Sequence, residues 1–234
     1  MIITWPRKAI DRALITHLPR NHPEPDHAFR RRRIVVVITF MVGTALLAVS
    51  LRVQPGDARF FWLTVLLAAT WAVGGLLSGP LQLGHIRARG WKRSVLTPLV
   101  VGGTLAGVFG LGALIVRDIP PLRDSVEEVS AHAAHGNLAA VTLITVITGI
   151  AEEIFFRGGL FAAIGRRHPV TISTAGYVLA TVATGNVMMV FAAAVVGVVL
   201  GLQRRASGGI LAPTITHLTW SLPMLYLLPA LFAG

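Results

Sequence analysis

The sequence predicts an all-α integral membrane protein, a polytopic bundle of about seven transmembrane helices with its N-terminus in the cytoplasm. Of its 234 residues, 54% are hydrophobic and only 13% are charged, and the mean hydropathy is +0.70. A soluble domain carries about a quarter charged residues. Several apolar runs reach the roughly 20 residues that a helix needs to cross a bilayer. The chain has no cysteine, which excludes disulfides, thiolate catalysis and cysteine metal sites.

Seven apolar stretches are candidate spans. The fifth and sixth are expected to form a tight helical hairpin that turns at Gly185-Asn186. The last contains three prolines, so we expect it to be kinked or broken. The predicted spans are 34–53, 59–79, 95–116, 137–163, 169–185, 187–203 and 208–233.

The chain divides into a basic cytoplasmic tail, residues 1–33, and a transmembrane domain, residues 34–234. In the tail Ile10, Leu14 and Leu18 recur every four residues beside basic side chains. This spacing is typical of a short helix that lies on the membrane surface. A partly ordered tail explains the same residues equally well.

Loop charges set the expected topology. With the N-terminus inside, the cytoplasmic segments hold 16 basic and 3 acidic residues, whereas the opposite side holds 4 basic and 5 acidic residues. This distribution obeys the positive-inside rule and places the C-terminus outside. The net charge of +11 is therefore explained by topology and by anionic lipid headgroups, and nucleic acid is not an expected partner.

Residue usage indicates the source of the chain. Only Lys8 and Lys92 among the 21 basic residues are lysine, and alanine, glycine and valine are abundant. This bias is typical of a GC-rich prokaryotic genome, so we expect a prokaryotic plasma membrane.

The predicted outer segment 117–136 contains two histidines, His132 and His135. Histidines at this spacing can ligate zinc on a helix, but no third ligand completes a site. We therefore expect an ordinary polar loop.

Three charged residues, Glu152, Glu153 and Arg157, interrupt the fourth predicted span. Each such group at the centre of a bilayer costs roughly 2.5–3.5 kcal/mol on translocon-type scales. An ionisable cluster inside a span is for that reason a functional-site hypothesis.

Helical spacing divides the roles of these three charges. Residues four apart share a face, so Glu153 and Arg157 are expected to form an ion pair. Neighbouring residues point about 100° apart, which directs Glu152 elsewhere and leaves it free for chemistry. The alternative is that all three charges form one packing network between helices.

A second ionisable group, His217, lies in the last predicted span. Glu152 is 14 residues from Arg166 and His217 is 12 residues from Arg205, both counted from cytoplasmic loops. At about 1.5 Å per residue both lie roughly 18–21 Å from the inner edge, so the two could meet in one cavity. A histidine that only hydrogen-bonds a neighbouring helix is the simpler alternative.

Three stretches resemble one family. Glu152-Glu153-Ile154-Phe155-Phe156-Arg157 matches the EExxFR motif of the CPBP family, which contains the CAAX prenyl endopeptidase Rce1 and bacterial bacteriocin-processing and abortive-infection proteins. Residues 173–181 resemble the run that ends in the family's second motif, FxxxH. Residues 197–217 resemble the run that leads into the third, HxxxN. The resemblance covers about residues 137–221.

The resemblance implies roles for single residues. Glu152 would be the general base that activates water, and His217 would stabilise the oxyanion, with Glu153 and Arg157 in support. The chain departs from the family at three positions: Tyr177 and Thr181 stand where the second motif has Phe and His, and Ser221 stands where the third has Asn. Thr181 cannot relay a proton, whereas Ser221 can still donate a hydrogen bond.

The same departures bear on cofactors. If a divalent metal such as zinc binds, Glu152 and His217 are its candidate ligands, but two ligands are too few for zinc. No cofactor is therefore certain from the sequence. The chemistry also follows without the resemblance, because a water held between a carboxylate and an imidazole is a plausible nucleophile for a peptide bond.

The leading hypothesis is an intramembrane endopeptidase whose substrate is a membrane-embedded or lipid-anchored protein or peptide. The alternative is a catalytically impaired relative that acts as a membrane scaffold or regulator of a partner protein, in envelope homeostasis or immunity. A transporter or channel would need a continuous polar path, which the spans do not offer.

Overall fold

Helices dominate the part of the protein that the structure describes. In the computed structural model 84% of the described residues are helical, and no strand occurs among them. The described residues are 24–84, 91–135 and 137–232 together with Leu14. The predicted interfacial helix around Ile10 and Leu18 lies outside these residues. The prediction of an all-α membrane protein is confirmed.

Nine α-helices and one π-helical segment follow one another in the described part of the chain. The π-helical segment joins α5 to α6, so that 138–164 is one continuous helical rod. The elements are α1 Asp26–Ser50, α2 Ala58–Ser78, α3 Trp91–Val116, α4 Pro120–Ala134, α5 Leu138–Glu152, the π-helix Glu153–Leu160, α6 Phe161–Ile164, α7 Pro169–Val182, α8 Val187–Ser207 and α9 Leu211–Phe232.

Six of these rods are long and apolar enough to cross a membrane. The predicted span 169–185 is present as the shorter apolar helix α7, whose 14 residues extend about 21 Å at 1.5 Å per residue. Helix α1 begins eight residues before the predicted span, because the arginine block 30–33 is itself helical. The predicted hairpin of α7 and α8 is observed.

The last helix is continuous through its prolines. Helix α9 contains Pro223 and Pro229 yet runs without a break, so of the expected kink or break the break does not occur. Pro213 lies in its first turn, where a backbone N–H has no intrahelical partner to lose.

The outer segment is not the polar loop that the sequence predicted. It is mostly the helix α4, which begins with Pro120 at its first position, a place where proline is favoured. His132 of this helix is buried, and its Nε2 lies 3.0 Å from the carbonyl oxygen of Val53. Asn186, in the α7–α8 turn, donates to the Glu128 carboxylate at 2.8 Å. Helix α4 is thus fastened across the end of the bundle.

Arginines of two segments that the topology predicts to be cytoplasmic form contacts at the opposite end of the bundle. Arg33 Nε donates to the Ala163 carbonyl at 3.1 Å, and Arg204 Nη2 donates to Gln82 Oε1 at 3.2 Å. These contacts fasten the N-terminal part of α1 and the C-terminal part of α8 to neighbouring segments.

The continuous rod 138–164 lies at the centre and packs tightly against α2. Trp71 stacks on Phe155 and Phe156 with ring centroids 4.5 and 5.1 Å away. Gly75 faces the Ile154 backbone so closely that a Cβ built there would lie 2.8 Å from its carbonyl oxygen. Small residues at helix contacts permit such close approach in membranes. This packing fixes the segment that carries the three charges.

Candidate functional site

The charged motif occupies an unusual backbone segment. Residues Glu153–Leu160 form a π-helix rather than the α-helix that the spacing argument assumed. π-Helical turns inside α-helices occur frequently at functional sites. The Arg157 carbonyl of this segment accepts a hydrogen bond from the Arg204 Nε at 2.7 Å. Helix α8 therefore fixes the backbone of the π-helical segment through this hydrogen bond.

Glu153 and Arg157 form the ion pair that the sequence predicted. The Arg157 Nη1 donates to Glu153 Oε1 at 2.8 Å, and both side chains are almost completely buried, with 0% and 1% exposure. The guanidinium also reaches the Gly197 carbonyl at 3.5 Å and lies 4.9 Å above the Tyr177 ring. Arg157 is thus held on several sides.

His217 hydrogen-bonds Glu153, not the neighbouring Glu152. Its Nδ1 lies 2.9 Å from the same Oε1 that Arg157 binds. An ionised carboxylate only accepts hydrogen bonds, so Nδ1 carries a proton and is the donor. Glu153 therefore orients two buried partners at once.

This contact defines what the other ring nitrogen of His217 can do. The neutral ring has its only proton on Nδ1, so Nε2 then has a lone pair. Only the imidazolium donates from both nitrogens. Nε2 faces the small residue Gly149, where a built Cβ would lie 4.0 Å away. The glycine leaves room beside Nε2.

Glu152 has different surroundings. It is partly exposed, whereas Glu153 is buried, and its Oε2 accepts a hydrogen bond from the Tyr177 hydroxyl at 2.8 Å. Glu152 also lies close enough to His217 for an electrostatic interaction. The two adjacent glutamates thus diverge as their helical positions predicted, and Glu152 keeps an oxygen, Oε1, that accepts no hydrogen bond from the described residues.

The two remaining candidate residues are Thr181, one helical turn from Tyr177, and Ser221, one helical turn from His217. The hydroxyl of Thr181 is buried and donates to the backbone carbonyl of Tyr177 at 2.9 Å, so its proton is used within α7. The hydroxyl of Ser221, one turn beyond His217 on α9, is buried without a hydrogen-bond partner among the described residues.

The sequence analysis did not identify two residues of this site, Tyr177 and Arg204. Tyr177 was recognised only as a departure from a motif, although a hydroxyl at that position already indicated a hydrogen-bond donor. Arg204 was counted as a cytoplasmic loop charge, yet it is buried and bonds to the π-helix. No spacing rule pointed to this contact, because it joins residues 47 positions apart.

The residues present do not suit a metal. No group of three or more His, Asp or Glu that could hold one occurs in the described ranges. Of the two candidate ligands, Glu152 is bonded to Tyr177 and His217 to Glu153. Zinc sites in enzymes use three protein ligands, so we assign no step to a metal.

One comparison with known proteins gave a match. Residues 134–223 match the family described as Type II CAAX prenyl endopeptidase Rce1-like. The matched region contains α5, the π-helix and His217. Neither the curated proteins nor the solved structures gave a match to the chain. The family is a protease family, and the match together with the apolar helices indicates an integral membrane protein.

Proposed function

We propose that this integral membrane protein, with its Rce1-like region at residues 134–223, is an endopeptidase that cuts a membrane-embedded or lipid-anchored protein or peptide. One observation carries the proposal. Of two adjacent glutamates inside a span, Glu153 is buried between Arg157 and His217, whereas Glu152 is partly exposed and keeps one carboxylate oxygen free. A network that only holds helices together needs the buried Glu153, but it does not need the partly exposed Glu152.

In the proposed reaction Glu152 is the general base. Its free oxygen takes a proton from a water molecule as the water oxygen attacks the carbonyl carbon of the scissile peptide bond. The carbonyl π electrons move to oxygen and form a tetrahedral oxyanion. When the C–N bond breaks, Glu152 returns the proton to the leaving nitrogen, which becomes the new amine. Such proton transfer contributes typically 10²–10⁴-fold to a rate.

His217 stabilises the oxyanion in this scheme. Because Nδ1 donates to Glu153, Nε2 can donate to the oxyanion only when the ring is the imidazolium. The free hydroxyl of Ser221 is a second donor on the same helix. Removal of one oxyanion donor typically costs 10²–10³-fold in kcat.

The test uses the full-length protein in liposomes that contain anionic lipids. A peptide with a C-terminal prenylated cysteine and the same peptide without the lipid are the two substrates, and mass spectrometry identifies the products. We expect cleavage of the anchored peptide at one bond, and much slower cleavage of the free peptide. Cleavage of the free peptide alone would contradict the proposed substrate class.

The alternative, a membrane scaffold or regulator, also has an observation in its favour. The hydroxyl of Thr181 is engaged within its own helix, so the position at which the family carries a histidine contributes no proton relay. A protein of this kind would bind anchored peptides without cutting them, before and after Thr181→His. Under the protease proposal, Thr181→His raises the rate, because an imidazole there can share the water with Glu152.

A further inference from the structure

We propose that Tyr177 is the positioning residue of Glu152: its hydroxyl holds one carboxylate oxygen and aims the other oxygen at the water. This inference rests on the proposed function for its catalytic consequence. It assigns to Tyr177 the orienting role that Thr181 cannot fill.

The contact has the geometry of a strong hydrogen bond. The Tyr177 hydroxyl oxygen lies 2.8 Å from Glu152 Oε2. Hydrogen bonds to an ionised acceptor are roughly twice as strong as bonds between neutral groups. Tyr177 therefore fixes the direction of the Glu152 carboxylate.

The phenol ring is itself fixed, so it can impose a direction. The Arg157 guanidinium lies 4.9 Å from its centroid on one side, and the Phe156 ring meets it edge-on at 4.8 Å. On α8, Gly197 leaves the space beside the ring, because a Cβ built there would lie 3.4 Å from the Tyr177 Cδ1. Two elements, the π-helix and α8, thus hold one side chain of α7 in place.

Tyr177 also links the two glutamates. Arg157 binds the Glu153 carboxylate through its Nη1 and the Tyr177 ring through its charged face. A movement of the structural ion pair is therefore passed to the hydroxyl that orients Glu152. Tyr177 and Thr181 lie four residues apart on one face of α7. Of the two, only Tyr177 hydrogen-bonds the Glu152 carboxylate.

The test compares Tyr177→Phe with Tyr226→Phe. The chain has two tyrosines, and Tyr226 is a matched control because its hydroxyl lies 2.6 Å from Thr142 Oγ1, away from both glutamates. Infrared spectroscopy follows the carboxylate stretching bands of Glu152, whose positions depend on hydrogen bonding, and the bands are assigned by their loss in Glu152→Gln. This readout does not depend on cleavage.

We expect Tyr177→Phe to shift these bands, because one carboxylate oxygen loses its donor, and the control to leave them unchanged. In the cleavage assay kcat should fall about tenfold or more with little change in KM. Unchanged bands in Tyr177→Phe would overturn the inference, as would shifted bands with a wild-type kcat.

Failure of the proposed function is recognised separately. If the wild type cuts no peptide, the protease proposal fails. Bands that shift in Tyr177→Phe and not in the control would then still support Tyr177 as the group that holds the Glu152 carboxylate.

Discussion

The two glutamates should respond in opposite ways to the same substitution. Glu153→Gln removes the negative charge that Arg157 and His217 share, and it leaves a guanidinium that is 1% exposed without a counter-charge. Glu152→Gln removes a charge that is partly exposed, and the new amide oxygen can still accept the Tyr177 hydrogen bond. Because the substitutions are chemically identical and adjacent, each is the control for the other.

The expected magnitudes differ severalfold. Breaking a buried ion pair by removing one partner costs about 3–5 kcal/mol. For a chain of this size each kcal/mol lowers the melting temperature by about 2–4 °C, so Glu153→Gln should lower it by about 6–20 °C. Glu152→Gln weakens one hydrogen bond, which is worth about 0.5–1.5 kcal/mol, and it removes the cost of a desolvated charge. Its melting temperature should stay within about 6 °C of the wild type or rise.

The assay is a thermal melt of the purified protein in detergent, followed by the loss of the monodisperse size-exclusion peak. The yield of folded Glu153→Gln should also be reduced. If Glu152→Gln were the more destabilising variant, the assignment of a structural glutamate and a chemical glutamate would be reversed. Equal losses from both would favour one packing network instead.

Two further predictions concern the fold. A reporter fused after Gly234 should lie on the non-cytoplasmic side and one inserted near Arg89 in the cytoplasm, as seven spans require. A cytoplasmic C-terminal reporter would show that α7 does not cross the membrane. Gly75→Ala should cost about 1–3 kcal/mol in the same melt, because the new Cβ would lie 2.8 Å from the Ile154 carbonyl oxygen. Gly112→Ala, which meets nothing within 4 Å, should be neutral or stabilising by about 0.5–1 kcal/mol, and equal losses from both glycines would contradict the packing described for the central rod.

The sequence predicted the helices well because the length of an apolar run is a direct property of the chain. It also predicted the Glu153–Arg157 pair, since that contact depends only on spacing within one helix. The amphipathic outer helix α4 was missed because histidines and acidic residues in a short segment were interpreted as a loop. The apolar side of α4 can be recognised only when the helix is seen packed against the end of the bundle.

Contacts between helices could not be predicted in the same way. Counting residues from the cytoplasmic loops placed His217 level with Glu152, but depth does not reveal how α9 is rotated, and the ring bonds Glu153. The π-helix was missed because side-chain spacing of four residues suits both kinds of turn. The Tyr177 hydroxyl reaches Glu152 across 25 positions of sequence, which no local pattern encodes.

The most direct test of the account is the turnover of a lipid-anchored peptide by wild type and Glu152→Gln, both shown by their melts to be folded. The account predicts that the wild type cuts the peptide and that Glu152→Gln loses at least about 10²-fold in kcat, because the general base is gone. Cleavage by Glu152→Gln at the wild-type rate would contradict the mechanism proposed for this site.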